Sequence, residues 1–391
     1  MSKKHLTFID MFAGIGGFHS GMEQAGHRCV GWIEWDKFAR QSYKALYNTD
    51  GIYNAKDIQN VKGKDLPKAD VWCFGSPCQN LSVAGKRAGI NGSQSSMFFE
   101  VMRLLGEVEV KPNTLVMENV KGLLSSHKGA DFEIVKDEFN KHGYDIEYEV
   151  LNSKNVVPQN RERIYIVGHL KGPKYDPVFP ISDNDLSQYR QHKYLSEILD
   201  SSVDSSFYLD LDKLVQLIEN DKKHTFRPST DLKVVGNVMK SNFYNGRVYN
   251  PAEGIAPTLT TMKGGNRQPK VLEVYATITP DRVHKRQNGR RFKLNNEPSF
   301  TITRSDKHGI AIKYLNMPDK NIPAIELDDH TYLAIRKLTP KECWFLQGFS
   351  KDQFNKAQQA GVSNSQLYAQ AGNAVTVPVV KAIAERLSID K

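Results

Sequence analysis

Short apolar runs alternate with stretches of helical periodicity along the first half of the chain. Leu6-Thr7-Phe8-Ile9 predicts a first strand, and a glycine-rich turn from Ala13 to Gly17 follows it. Phe18 to Gly26 predicts a helix, with Gly26 suited to the left-handed position just past a helix end. Cys29 to Ile33 predicts the next strand, and Asp36 is placed to cap a helix running to Tyr47. Val71 to Phe74 and Thr114 to Met117 are short, wholly apolar or nearly so, as buried strands are, and the helical stretch Met97 to Val108 separates them. Asp131 to Lys141 predicts a helix closed by Gly143, and Tyr144 to Leu151 and Ile164 to Gly168 complete the series as strands. Strands alternating with helices in this way predict an α/β protein with a doubly wound, mostly parallel sheet.

The pattern changes after residue 171, where Pro, Ser, Asp, Asn and Lys rise and the alternation is lost. Residues 225–333 hold short extended segments among Gly, Pro, Thr, Arg and Lys, which predicts a second, smaller, irregular β-rich domain. Helical patterns return at Pro340 to Leu346 and Pro378 to Leu387, Pro378 suiting a first helical position. The expected organisation is a catalytic domain over 1–185, an inserted domain over 186–333 and a C-terminal return over 334–391 that completes the first.

Composition narrows the picture. Hydrophobic residues are 39% and charged residues 25% of 391, a globular balance that excludes a mainly disordered or fibrous chain. No apolar run approaches the roughly 18 residues needed to cross a bilayer, and Met1-Ser2-Lys3-Lys4-His5 shows no signal-peptide core, so a cytoplasmic protein is expected. Lys and Arg number 53 against 44 Asp and Glu, and the resulting +9 suits a polyanionic partner without demanding one. The four cysteines, Cys29, Cys73, Cys78 and Cys343, are scattered without metal-ligand spacing, so no zinc or other metal site is expected.

The candidate chemistry sits at predicted strand ends. Phe12-Ala13-Gly14-Ile15-Gly16-Gly17 follows a strand and opens a helix, where small residues let a ligand approach backbone N–H groups. Glu34-Trp35 ends the second strand, where an acid can bind a ribose hydroxyl pair and an indole can cover a purine, and Asp57-Ile58 follows a further short stretch. Glycine turn, acid and acid, each at a strand end, is the layout of an adenosine site; ordinary capping residues give the same spacing. Gly75-Ser76-Pro77-Cys78-Gln79 places a cysteine just beyond a strand end, and Asn80 to Ser96 reads as a basic loop able to close over a phosphate backbone. Glu118 ends the next strand on the same rim, and a thiol beside a carboxyl suits covalent attack on an electron-poor ring. Arg161 and Arg163 add two guanidinium groups able to bind a phosphate or a ring carbonyl.

Taken in order, these motifs resemble the bacterial-type DNA (cytosine-5) methyltransferases of restriction–modification systems. The set is Phe12-Ala13-Gly14-x-Gly16-Gly17, Glu34-Trp35-Asp36, Gly75-x-Pro77-Cys78-Gln79, Glu118-Asn119-Val120, Gln159-x-Arg161-Glu162-Arg163, Arg336-Lys337-Leu338-Thr339-Pro340-x-Glu342-Cys343 and Gly372-Asn373-Ala374-Val375. It spans nearly the whole chain outside residues 186–333. The resemblance implies a Rossmann-like methyltransferase fold and S-adenosylmethionine held by Phe12, Glu34, Trp35, Asp57, Ile58 and Pro77, with Asn373 and Val375 from the return. It implies that Cys78 attacks carbon 6 of a flipped-out cytosine, that Glu118 holds the exocyclic amine and ring nitrogen 3, and that Arg163 contacts the ring carbonyl with Arg161 nearby. Double-stranded DNA is the implied partner of a monomer, any cognate endonuclease being a separate protein. A branch of the same family that methylates transfer RNA carries a Cys-Phe-Thr motif absent here. The third reading is an inactive DNA-binding relative, against which Cys78, Glu118 and Arg163 are all intact.

One departure concerns the loop, where Gln94 stands in place of an arginine that the family usually carries. Ser82, Lys86, Arg87 and Gln94 are the loop's candidate DNA contacts. The variable stretch implies a recognition domain, with Arg247, the pair Thr258-Leu259 and Arg267 in one unit and an echo at Arg290-Arg291-Phe292 and Arg304 in a second. The prolines that open the two similar stretches, Pro257 and Pro298, are 41 residues apart. The second unit is expected to read outer base pairs, a purely structural duplication being the alternative.

Overall fold

The computed structural model describes residues 5–75, 96–219, 233–234, 271–282, 290–294, 297–304, 306–314, 318–319, 321–328 and 331–388. They form two compact units, Met1–Lys193 with Trp344–Lys391, and Tyr194–Cys343.

The first unit is built on a seven-stranded sheet. Its strands are β1 (Thr7–Met11), β2 (Arg28–Ile33), β3 (Tyr53–Ala55), β4 (Val71–Phe74), β5 (Thr114–Val120), β6 (Tyr144–Asn152) and β7 (Glu162–Leu170), in the order β3-β2-β1-β4-β5-β7-β6. The first five run parallel, and β7 is antiparallel to both β5 and β6. The order reverses at β1 and β4, so the ends of these strands open onto the crevice where such sheets bind ligands.

The apolar runs are continuous because both sheet faces are covered. Val71 and Cys73 enter one core cluster and Trp72 and Phe74 the other. Phe18 and Met22 of α1 (Gly17–Gln24) cover the first face together with Val379, Val380 and Ile383 of the C-terminal helix Val377–Ala384. Phe98, Val101 and Leu105 of α3 (Ser96–Glu107) and Phe132, Val135 and Phe139 of α4 (Ala130–Lys141) cover the second. A further helix, α2 (Lys37–Leu46), is capped as expected: Asp36 accepts from Phe38 N at 2.9 Å and Ala39 N at 2.8 Å. The C-terminal helix starts at Val377, so Pro378 is its second residue.

The second unit holds an antiparallel sheet, ordered β8-β11-β12-β10-β9, of β8 (Lys233–Val234), β9 (Val271–Ile278), β10 (His308–Tyr314), β11 (Ile325–Asp328) and β12 (Thr331–Lys337). Leu214, Leu217 and Ile218 of the helix Leu211–Glu219 pack with Phe292, Ala311, Leu333 and Ile335 in its core. Because β12 pairs with β10 and β11, this unit continues to Cys343, past the boundary at 333 read from composition. The segment after β12 is tied by a buried ion pair, Arg336 donating to both Glu342 oxygens at 2.9 and 2.7 Å. Thr339 N and Asp200 N complete the carboxylate's contacts at 2.7 and 2.8 Å.

Candidate active site

The glycine turn leaves β1 through three left-handed residues, Phe12 (φ 55), Gly14 (φ 55) and Gly16 (φ 81). That conformation is strained for Phe12 and free for glycine. At Gly17 the constraint is space: a Cβ there would stand 2.5 Å from the carbonyl oxygen of Val375. The C-terminal return therefore lies against the turn, and Val375 is buried beside it. Glu34, at the end of β2, joins the same feature. Its Oε2 accepts from Gly14 N and its Oε1 from Asp36 N, both at 2.7 Å. Burial pushes the Glu34 carboxyl above the usual range, and these two N–H groups pull it back.

Trp35 points outward, 74% exposed, in a chain whose other three tryptophans are buried. It borders a cleft of about 400 Å³ whose walls include Tyr53, Lys56, Asp57 and Asn60. Asp57 caps the short turn Ile58–Asn60, accepting from Gln59 N at 3.0 Å. Arg40, missed from sequence, joins the two acid-bearing segments: it donates to the Glu34 carbonyl at 3.1 Å and the Ala55 carbonyl at 2.7 Å and lies 4.4 Å from the centre of the Trp32 ring. β3, which carries Ala55, is only three residues long and was also missed.

The second group stands at the ends of β4, β5 and β7. Arg163 Nε lies 3.2 Å from Glu118 Oε1, both side chains mostly buried. The antiparallel pairing of β5 with β7, Glu118 opposite Tyr165 and Val120 opposite Arg163, places the two on the same edge. A Cβ on Gly75, the first residue after β4, would lie 3.6 Å from Glu118 Oε2. The segment that leads to Pro77 and Cys78 thus departs beside the carboxylate. Arg161, close enough to feel the charges of Arg163 and Glu118, is buried and donates to the Ala374 carbonyl at 2.9 Å, holding the return against the sheet. Burial, aided by the charge of Arg163, pulls its pKa to about 10, so it stays charged at neutral pH. Asn373 is exposed at the end of the helix Asn364–Asn373, and Ala13 and Ile58 are buried within their turns.

Pro77, Cys78, Ser82, Lys86, Arg87, Gln94, Arg247, Thr258, Leu259 and Arg267 lie outside the described residues. In the second unit Arg290 is paired with Glu297 at 2.8 Å, Arg291 donates to the Arg282 carbonyl at 3.3 Å, and Arg304 is exposed. Among the described residues no cluster of His, Cys, Asp or Glu could hold a metal, and no helix is long and apolar enough to cross a membrane.

Comparison with known proteins bears on this arrangement. The chain is 36% identical over 457 residues to the orphan methyltransferase M.SPBetaI of Bacillus phage SPbeta, covering 99% of this chain and 98% of that one. It is 31% identical over 389 residues to the type II methyltransferase M.Bsp6I of a Bacillus species, covering 98% of each. The crystal structure of the S. pombe Dnmt2 methyltransferase superposes with a TM-score of 0.59 over 97% of each chain at 18% identity, a likeness of fold. The sequence profile of one family, described as the C-5 cytosine-specific DNA methylases, matches residues 6–388. That span takes in the glycine turn, Glu34, Asp57 and the Glu118–Arg163 pair, and the chain belongs to the C-5 cytosine-specific DNA methylases.

Proposed function

We propose that this methyltransferase transfers the methyl group of S-adenosylmethionine to carbon 5 of a flipped-out cytosine within a specific duplex DNA sequence. The residues present fit the cofactor. An exposed indole lining a cleft, a carboxylate fixed by the glycine turn and a second acid in the cleft's lining match an adenosine: Trp35 for the base, Glu34 for the ribose hydroxyls and Asp57 with Ile58 for the purine edge. Phe12 to Gly17, Pro77, Asn373 and Val375 would enclose the remainder. When bound, the cofactor supplies an electrophilic methyl carbon on a sulfonium.

The chain's own residues prepare the base to receive it. Cys78, as thiolate, bonds to carbon 6 of the cytosine, and the displaced electron pair raises the electron density at carbon 5. Glu118 holds ring nitrogen 3 and accepts from the exocyclic amine, favouring protonation of nitrogen 3, which neutralises the charge that the attack develops there. Arg163 holds Glu118 and would contact the ring carbonyl. Arg161 would stand nearby, also tying the return to the sheet. Carbon 5 takes the methyl group, its proton is lost to solvent, and the returning electron pair breaks the bond to sulfur and frees Cys78. The cytosine must leave the stack for any of this, because carbon 6 is inaccessible within a duplex.

Ser82, Lys86, Arg87 and Gln94 would meet the phosphate backbone, and Arg247, Thr258, Leu259 and Arg267 the recognition sequence. Arg290, Arg291 and Arg304 are the candidate readers of outer base pairs. The enzyme would act as a cytoplasmic monomer, separate from any endonuclease, and protect DNA as part of a restriction–modification system. The observation that carries the reading is the Glu118–Arg163 pair standing where the Cys78 segment leaves β4. Duplex DNA with 5-fluorocytosine at the target should trap a denaturation-resistant complex with the native enzyme and none with Cys78→Ala, since fluorine cannot leave as the proton does. Trapping by Cys78→Ala, or methyl transfer by it at the native rate, refutes the mechanism.

A further inference from the structure

Asp57, an acid of the cleft, sits at the head of a single short turn. The segment from Ile58 to Asp65 is two single turns, Ile58–Asn60 and Gly63–Asp65, on the outer side of β3. Its support comes from the last two turns of α3. Arg103 Nη2 donates to the carbonyls of Ile58 at 3.1 Å and Val61 at 3.0 Å, one at each end of the first turn. The same guanidinium is held by two carboxylates of its own helix, Glu100 at 2.7 Å on Nε and Glu107 at 2.6 Å on Nη1. Glu107 uses its other oxygen on the second turn, accepting from Gly63 N at 2.8 Å. Contact there is close enough that a Cβ on Gly63 would stand 2.5 Å from the Glu107 Cβ.

This is more than a pair of surface ion pairs. An ion pair along a helix adds only a few tenths of a kcal/mol to that helix. Here the two carboxylates orient a planar donor fork, and Nη2 of that fork reaches across to two carbonyls of the turn: Ile58, which also accepts from Val61 N at 3.1 Å, and Val61 just past the turn's end. The geometry serves the turn, and the turn carries Asp57 at its first position.

We propose that Arg103 is a positioning residue for the adenosine end of the cofactor pocket, acting through the Asp57–Asn60 turn, with Glu107 as its partner on the second turn. The proposal rests on the reading that Asp57 meets S-adenosylmethionine. Arg103 touches neither cofactor nor DNA, so its removal acts on cofactor affinity and not on the chemical step. Lysine at this position supplies one point charge and cannot span two carbonyls while pairing with two carboxylates, so Arg103→Lys restores part of the effect.

The experiment is a double-mutant cycle on the full chain, with S-adenosylmethionine affinity measured by calorimetry and KM and kcat by methyl transfer to duplex DNA. Arg103→Ala should weaken cofactor binding about tenfold, the size expected for one net hydrogen bond to a charged group, with kcat at saturating cofactor and KM for DNA unchanged. Arg103→Lys should fall between, and should serve alone if the alanine variant does not fold. In the Asp57→Ala background, loss of Arg103 should cost no further affinity. A lowered Tm with unchanged affinity makes Arg103 scaffold and overturns the proposal, as do losses that simply add to those of Asp57→Ala. If Asp57→Ala alone binds S-adenosylmethionine as tightly as the native chain, the reading of the pocket itself fails, and the single variant shows that separately from any result at Arg103.

Discussion

Two glutamates end neighbouring parts of the same sheet and are prepared for opposite work. Glu34 is closed in by two backbone N–H groups, which fix its direction, while Glu118 meets the guanidinium of Arg163. Removing the first should therefore act on binding. Glu34→Ala should weaken S-adenosylmethionine about tenfold to hundredfold by calorimetry, as for loss of a charged acceptor. Removing the acid function of the second should act on rate: Glu118→Gln should lower kcat by about 10²–10⁴, the range for a positioned proton donor, and leave cofactor affinity unchanged. Residues such as these were legible because each stands at a strand end beside small or polar neighbours. Arg40 and Arg103 were not legible. They act on backbone carbonyls of segments remote in the chain, and a carbonyl leaves no mark in the sequence.

At the scale of elements, β1, β2, β4 and β5 announce themselves as apolar runs because each is covered on both faces. β3 has three residues and little apolar character, and only its pairing with β2 makes it a strand. The direction of β7 was also hidden, since periodicity is the same for parallel and antiparallel strands. In the second unit the motif from Arg336 to Cys343 is held by a buried contact of its own. A bidentate ion pair is buried there with its carboxylate fully satisfied, so removing one partner leaves a charge with no solvent. Arg336→Ala should cost about 3–5 kcal/mol in chemical denaturation, whereas an apolar replacement of both partners should cost far less. The same unit carries a pH signature. Burial pulls the His308 imidazole down to about 4, against the nearby Asp306 charge, and keeps the ring neutral. Its folded pKa lies below its unfolded value of about 6.5, so the unfolded chain binds the extra proton in that interval. Stability should be full above that unfolded value and fall as pH drops through the interval toward the folded one. Thermal melts from pH 7 to 4 check this, and His308→Gln should flatten the curve.

For the whole molecule, the excess of 53 basic over 44 acidic residues becomes informative once DNA is the substrate. The logarithm of the binding constant should fall with the logarithm of salt concentration at a slope near −0.9 for each phosphate neutralised. Arg304, exposed, should reduce that slope by about one when changed to Ala if it meets a phosphate, or relax the methylated sequence at one position if it meets a base; bisulfite sequencing separates the two. Arg290, already paired with Glu297, should move either readout less. The specific target stays unread in the sequence because direct readout depends on side-chain reach into a groove, not on residue type.

The contact of Val375 with Gly17 also has a meaning in time. His27, at the start of β2, bonds through Nε2 to the Ala384 carbonyl at 3.0 Å, and Arg161 and Ser153 reach Ala374 and Thr376. Gly17 is thus packed by a segment more than 350 residues away along the chain. Closing a chain over that separation is slow, and a form truncated before Gln347 would keep Glu34 and Asp57 yet lack the segment that packs on the glycine turn. The turn should therefore be finished late in folding, by a contact that no local segment can supply.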